Sequence, residues 1–303
     1  MPTGKNRCLA HMWCRRRMPS HSLRCWAGLA AVCVLTSCRQ AGVLDPQGPI
    51  AAAERLILLN ATGIMLVVVV PVIALTLAFA WWYRASNKRA AYRPDWSYSG
   101  RIELVVWSIP VMVVILLAAV AWTGSHDLDP AHKIKADAKP IRIEVVSLDW
   151  KWLFIYPDLQ IATVNQLVVP TGVPLEFMLT SANVMNAFFV PQLGSQIYTM
   201  PGMRTHLNLL AERAGDYPGF SSNFSGDGFS DMRFLVRAIP ASEFSSWHER
   251  TASEAPALDT DAYSQLARAS SNTQTQTYRS VDPDLFDRIV ETSAPHAAPL
   301  QEN

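Results

Sequence analysis

Residues Ser221 to Met232 read Ser-Ser-Asn-Phe-Ser-Gly-Asp-Gly-Phe-Ser-Asp-Met, a segment with the spacing of a metal site but almost none of its donors. A dinuclear copper centre in an electron-transfer domain would be written Cys-x3-Cys-x3-His-x2-Met here. The four positions hold Ser221, Ser225, Phe229 and Met232. Two thiolates can bridge copper because sulfur is soft and deprotonates near neutral pH. A serine hydroxyl is hard and stays protonated, and a phenylalanine ring has no lone pair to give. Only Met232 could ligate, so the segment cannot hold copper. The histidines beyond the N-terminal region do not make up the deficit. His126, His132, His206, His248 and His296 show no pairing on one strand or helix that would close a ligand set.

The elements that must position this segment follow from where the apolar residues lie. Half of the 303 residues are hydrophobic, and they crowd into the first 125. The net charge of +1 gives no sign of a nucleic-acid partner or of a strongly acidic one. All five cysteines (Cys8, Cys14, Cys25, Cys33 and Cys38) fall in the first 38 residues, so the remainder can form no disulfide and supply no thiolate.

Residues 18–38 read as a secretory signal, with Arg24 ahead of an apolar run from Cys25 to Leu35 and then Leu35-Thr36-Ser37-Cys38. That tetrapeptide resembles the bacterial lipobox, which implies cleavage before Cys38 and acylation of its new N-terminus. Arg15, Arg16 and Arg17 make the stretch ahead of it long for such a signal, and Met18 is an alternative start. The sequence predicts residues 1–37 as a signal peptide and 38–55 as a periplasmic segment.

Leu56 to Tyr83 carries no charge and is long enough to span a hydrocarbon core of roughly 30 Å with tilt. Leu104 to Thr123 is a second uncharged run. Pro71 and Pro110 inside the runs are tolerable where neighbouring helices satisfy the freed carbonyls. Trp81, Trp82 and Tyr83 close one run and Trp122 the other, as amphipathic rings do at an interface. We therefore expect transmembrane helices over 56–83 and 104–124. The connection 84–103 holds Arg84, Lys88, Arg89, Arg93 and Arg101 against Asp95, which the positive-inside rule places in the cytoplasm. Both termini are then periplasmic.

From Ile141 short strands are expected: Ile141 to Val145, Asp149 to Phe154, Val164 to Val169, Leu175 to Leu179, Ala187 to Val190, Arg204 to Leu210 and Met232 to Ala238. Pro-Thr-Gly, Pro-Gly-Met and Ala-Gly-Asp-Tyr-Pro-Gly read as the punctuation between them. The pattern predicts an antiparallel sandwich over 125–240. Residues 241–303 read as a helical arm and tail, with N-cap signals at Ser242, at Asp259 or Thr260, and at Asp282 ahead of Pro283. Phe286 and Ile289 give its last helix an apolar face. The tract Ser270 to Thr277 is a polar spacer, and the tail after Ser293 is expected to be disordered.

A two-helix hairpin followed by such a domain resembles subunit II of the haem–copper respiratory oxidases. Leu179 to Tyr198 is similar to the strand and turn that carry the first copper histidine in the cytochrome c branch, and that position is Asn186 here. By the same resemblance the backbone-liganding glutamate is replaced by Asn223. Five of the six ligand positions (Asn186, Ser221, Asn223, Ser225 and Phe229) therefore carry unsuitable residues, and Met232 alone is retained. This loss, the lipobox at Cys38 and Tyr278 to Val290 together resemble the copper-less quinol-oxidising branch, the cytochrome bo-type ubiquinol oxidase subunit II.

The resemblance implies a membrane-anchored all-β fold, a cupredoxin-like sandwich behind a two-helix hairpin, in a bacterial inner membrane. It implies a chain with no cofactor or catalytic residue of its own, with haem, copper and ubiquinol in subunit I. The partners implied are subunit I, smaller membrane subunits and membrane lipid, in a proton-translocating oxidase. Glu103 matches the family's glutamate at the cytoplasmic mouth of a proton pathway; by composition alone it is an interfacial charge near Arg101. Trp150 and Trp152 match the aromatic strand through which copper-bearing relatives pass electrons, and without metal they read as sandwich core or a subunit contact. Two other readings stay open: a menaquinol oxidase subunit, and a free-standing lipoprotein or assembly factor of the same fold.

Overall fold

The computed structural model describes residues 42–91, 93–136 and 138–294. The expected signal sequence, Cys38 with the other four cysteines, and His296 lie outside the described residues.

Two long helices come first, α1 (Pro49–Trp82) and α2 (Gly100–Asp127), both long and apolar enough to cross a membrane. Each begins earlier than its apolar run. Helix formation needs only satisfied backbone groups, so α1 takes in Glu54 and Arg55 and starts with Pro49 at the first helical position, where a missing N–H costs nothing. Helix α2 likewise extends back to Gly100, which sets Glu103 in its first turn rather than ahead of it. Side chains such as Leu104 and Trp107 point outward, about 70% exposed (70% and 71%), a surface that needs lipid or other helices to cover it.

The strands are β1 (Ile141–Leu148), β2 (Lys151–Tyr156), β3 (Ile161–Val164), β4 (Gln166–Pro170), β5 (Pro174–Ser181), β6 (Asn186–Phe189), β7 (Ile197–Thr199), β8 (Thr205–Leu210), β9 (Gly215–Ser221) and β10 (Arg233–Ile239). The arm follows as α3 (Ala241–Glu254), β11 (Ala257–Leu258), α4 (Thr260–Leu266), β12 (Gln276–Tyr278), β13 (Ser280–Val281) and α5 (Leu285–Ser293). One sheet runs β12-β3-β2-β1-β5-β8 and the facing sheet β4-β10-β9-β6-β7. The sandwich is mixed rather than purely antiparallel, because β1 pairs parallel with β5 and β4 with β10.

Between the sheets lie Ile143, Val145, Trp152, Phe154, Phe177, Phe188, Phe234 and Val236. Phe188 and Phe234 stack with centroids 4.9 Å apart, and Trp152 meets both rings edge-on. The opposite face of β1 and β2 is apolar too, with Val146, Leu148, Leu153 and Ile155 buried under the arm. Helix α5 supplies Leu285, Phe286, Ile289 and Val290 to that second core, each fully buried apolar side chain contributing roughly 1.5–3 kcal/mol. Strand β2 is buried along its whole length for this reason.

Two segments read as spacers are strands. Ala-Gly-Asp-Tyr-Pro-Gly falls largely in β9, whose Pro218 is opposite Leu235. Ser221 donates its N–H to Met232 O at 3.2 Å, which fixes the hydrogen-bonded register and turns the proline nitrogen away from β10. On that side β6 pairs only with Phe220 and Ser221, so no ladder bond is lost. The polar tract contributes β12, an edge strand on β3. In the arm Asp259 caps α4 by accepting from Ala262 N at 2.8 Å. Asp282 caps only a turn, accepting from Asp284 N at 3.0 Å, and α5 begins two residues past Pro283.

The sandwich is tied to both helices. Gln47 donates its N–H to Gln192 O (2.8 Å) and its carbonyl accepts from Glu212 N (2.9 Å), while Ser195 bonds to the Glu54 carboxylate. Beyond α2, Pro130 O accepts from Asn208 through its backbone (2.9 Å) and its side chain (3.2 Å).

Candidate functional site: a copper-site scaffold without copper ligands

The six positions singled out for copper come together at one end of the sandwich. Asn186 opens β6, Ser221 ends β9, Asn223 and Ser225 lie in the following loop, Phe229 starts a 3-10 turn (Phe229–Asp231), and Met232 precedes β10. The Ser221 hydroxyl shares its one proton between Asn186 Oδ1 and Asn223 O, both at 3.1 Å, and accepts from Ala187 N at 3.3 Å. Asn186 Nδ2 donates to Val184 O at 3.2 Å, and Asn223 Nδ2 to Met185 O at 3.3 Å. Ser225 Oγ is 4.0 Å from Met232 Sδ, and Phe229 packs edge-on against Phe224 at 5.5 Å. Hydrogen bonds thus join the strand and loop that metal ligands would otherwise cross-link.

This donor set does not fit copper. It offers neutral amides, protonated hydroxyls and one buried thioether, with no thiolate and no imidazole. Among the described residues no three His, Cys, Asp or Glu side chains converge on a common point. His126 Nδ1 is 2.9 Å from Trp122 O and stacks on that ring, and His248 Nε2 is 3.4 Å from Leu159 O, so both are engaged locally.

The two tryptophans have different places. The strand expected over Asp149 to Phe154 is broken, because Asp149 and Trp150 form the turn between β1 and β2. Trp150 has φ 63°, a left-handed conformation that costs a bulky residue about 1–2 kcal/mol. Its indole is held on the loop between β9 and β10, donating Nε1–H to Ser225 O at 3.1 Å. Gly228 lies so close beneath the ring that a Cβ there would collide with it, and Gly226 has φ 106°. Trp152 is 0% exposed and lies in the core, so the alternative of a subunit contact is corrected for this residue.

Sequence reasoning missed Lys151 between them. It is 1% exposed, and its ammonium donates to Leu266 O (2.8 Å) and Arg268 O (2.6 Å) at the C-terminal end of α4. A cation is favourable on those carbonyls, and burial lowers its pKa. Ser270 N to Asp149 O (3.5 Å) and Asn165 Nδ2 to Thr273 O (2.8 Å) continue the strap over the same turn. The signal available was a lysine inside an otherwise apolar strand.

Comparison with known proteins fits this geometry. The family described as cytochrome c oxidase subunit II, periplasmic domain, matches residues 156–239, and the COX aromatic rich motif matches residues 252–293. The ubiquinol oxidase subunit 2 of Acetobacter aceti is 46% identical over 265 residues, covering 87% of this chain and 86% of the relative. The chain belongs to the ubiquinol oxidase subunit II family. The cytochrome bo(3) ubiquinol oxidase subunit 2 of Pseudomonas aeruginosa is 45% identical, covering 88% of this chain and 80% of its own. Among solved structures, the periplasmic domain of subunit II of cytochrome oxidase of Bradyrhizobium japonicum is 26% identical, covering 39% of this chain and 95% of that one, with TM-score 0.37. In this ubiquinol oxidase subunit II, the positions expected from sequence to hold copper ligands carry a hydrogen-bonded polar network of Asn186, Ser221 and Asn223.

Proposed function

We infer that this chain is the non-catalytic subunit II of a proton-pumping cytochrome bo-type ubiquinol oxidase, which couples quinol oxidation to reduction of oxygen to water. One observation carries the reading: a member of this family has Asn186, Ser221, Ser225 and Phe229 at the four positions where the resemblance expects histidine and cysteine side chains on copper. Electrons therefore do not enter through this chain. They enter from quinol in subunit I, where haem and copper also reside, and this subunit supports that partner. The hairpin packs in the inner membrane beside subunit I and smaller membrane subunits, with both termini periplasmic. Acylation of Cys38 adds a second membrane attachment. A signal peptide over 1–37, a periplasmic domain over 125–240 and an arm over 241–303 belong to the same reading, with the two helices at Pro49–Trp82 and Gly100–Asp127.

The test uses the purified complex. Oxygen consumption is expected with a ubiquinol analogue and not with reduced soluble cytochrome c. Turnover on the haem protein with inactivity on the quinol would overturn the assignment. Mass spectrometry of the isolated chain checks for the acylated N-terminal Cys38.

Glu103 is proposed as the proton-entry group at the cytoplasmic end of α2. A carboxylate in the first turn of a helix is favoured by the helix dipole. Replacing it with Gln in the assembled enzyme is expected to slow turnover on the order of a hundredfold, the low end of what loss of a proton-transfer group costs. Unchanged turnover and proton uptake in Glu103→Gln would leave Glu103 as a surface charge.

A further inference from the structure

The turn between β1 and β2 is bonded to two sets of partners far apart in the chain. On one side are the segments that carry the positions expected to hold copper. Asp149 Oδ2 accepts from Asn183 Nδ2 at 2.8 Å, and Trp150 Nε1–H donates to Ser225 O at 3.1 Å with its ring on Gly228. On the other side is the arm. Lys151 donates to Leu266 O and Arg268 O at 2.8 and 2.6 Å, and Asp149 O accepts from Ser270 N at 3.5 Å. The same stretch of arm reaches two further turns, with Asn165 Nδ2 donating to Thr273 O at 2.8 Å and Asn272 Nδ2 to Asp231 Oδ2 at 3.4 Å. Asn165 in turn exchanges hydrogen bonds of 2.9 Å with the Trp152 backbone and accepts from Leu235 N at 3.1 Å, so the arm is fastened where the two sheets meet.

We propose that residues 266–273 of the arm are a clamp that orders the loop between β9 and β10 by acting through Lys151 and Trp150, and so do for that loop the mechanical work of a bound metal. Trp150 (φ 63°), Asn165 (φ 55°) and Asn272 (φ 53°) all take the left-handed conformation. Asparagine adopts it readily, whereas a tryptophan does so only where its surroundings hold it. For Trp150 those surroundings are Asp149 and Lys151, both bonded to the arm. Freed from the arm, the turn relaxes toward ordinary backbone, the indole leaves Gly228, and the loop loses its bond at Ser225 O.

The loop has mainly short-range bonds of its own. Phe229 N donates to Gly226 O, Asp231 N to Gly228 O and Met232 N to Phe229 O, each at 3.1 Å, so the 3-10 turn is built directly on the glycines under the Trp150 ring. Lys151 stands at the other end of the relay, 1% exposed. A buried ammonium adds little net stability once its desolvation is counted, and what it contributes here is a fixed position of the turn against the arm. Removing it also strands the two carbonyls at the end of α4 without their charged donor.

Hydrogen–deuterium exchange on the purified complex tests the clamp without reference to turnover. In Lys151→Met the opening equilibrium of the Phe229, Asp231 and Met232 amides is expected to rise roughly tenfold, the low end of what losing hydrogen bonds to a charged group does, while 234–238 keep their protection. Trp150→Phe should loosen the same three amides. Because the clamp acts through the indole, adding Lys151→Met to Trp150→Phe should loosen the loop no further. Lys151→Gln, which keeps a donor for one carbonyl, gives the same comparisons if Lys151→Met does not fold. Unchanged loop protection in the Lys151 variants would overturn the proposal. Additive effects in the double variant, or equal loosening of 234–238, would also overturn it by making Lys151 a contributor to global stability alone.

Discussion

The quintuple variant Asn186→His, Ser221→Cys, Asn223→Glu, Ser225→Cys, Phe229→His is expected to take up a pair of copper ions and turn purple, while the wild-type chain stays colourless under the same titration. The reasoning is geometric. Asn186 and Ser221 are already in hydrogen-bond contact at 3.1 Å, and Ser225 Oγ approaches the retained Met232 sulfur at 4.0 Å. Replacing the Ser221 and Ser225 hydroxyls by thiols and the Asn186 amide and Phe229 ring by imidazoles changes the softness and charge of the donors with little change in side-chain length, and Glu at 223 restores the residue the resemblance expects there. The backbone that would aim them is held by β6, β9 and β10, and the Trp150 indole braces the loop through Ser225 O. Absorption and paramagnetic resonance of the copper-treated variant provide the readout. A variant that folds, as judged by circular dichroism, yet binds no copper would show that the loop has lost the site's shape as well as its donors.

The largest stability effect is expected at Trp152. Truncation to Ala removes a fully buried indole from its edge-on contacts with the stacked rings of Phe188 and Phe234 and should cost about 4 kcal/mol, within the range for aromatic-to-alanine changes in cores. Trp152→Phe keeps most of the apolar volume and also removes a buried indole N–H that has no hydrogen-bond partner, so its cost should be near 1 kcal/mol. Urea unfolding of the full chain in detergent measures both. If the residue acts by packing alone, the Phe variant should consume oxygen at the wild-type rate per haem. A large fall in that rate with folding and haem content intact would point to a role in electron transfer.

Much of this architecture could be read from residue order. Uncharged runs of spanning length marked the hairpin, and alternation of Ile141, Ile143 and Val145 with Arg142 and Glu144 marked β1. The missing donors at Ser221, Ser225 and Phe229 follow from ligand chemistry, which needs no coordinates. Features that depend on distant partners were hidden. Pro218 argued for a loop, yet it is harmless in β9 because β6 is too short to reach its nitrogen. Gln276 to Tyr278 has little apolar character and becomes a strand only because β3 presents an open edge. Trp150 looked like the middle of a strand, and its left-handed turn is supported by glycines more than seventy positions away. The function of Lys151 depends on carbonyls of the arm over a hundred residues later.

The bonds of Gln47 to Gln192 and Glu212, of Ser195 to Glu54, and of Asn208 to Pro130 have a mechanical corollary. A body fastened ahead of one span and behind the other has no swivel between itself and the bilayer. Any tilt imposed on the hairpin is then passed on to the sandwich, making that domain the long arm of a lever.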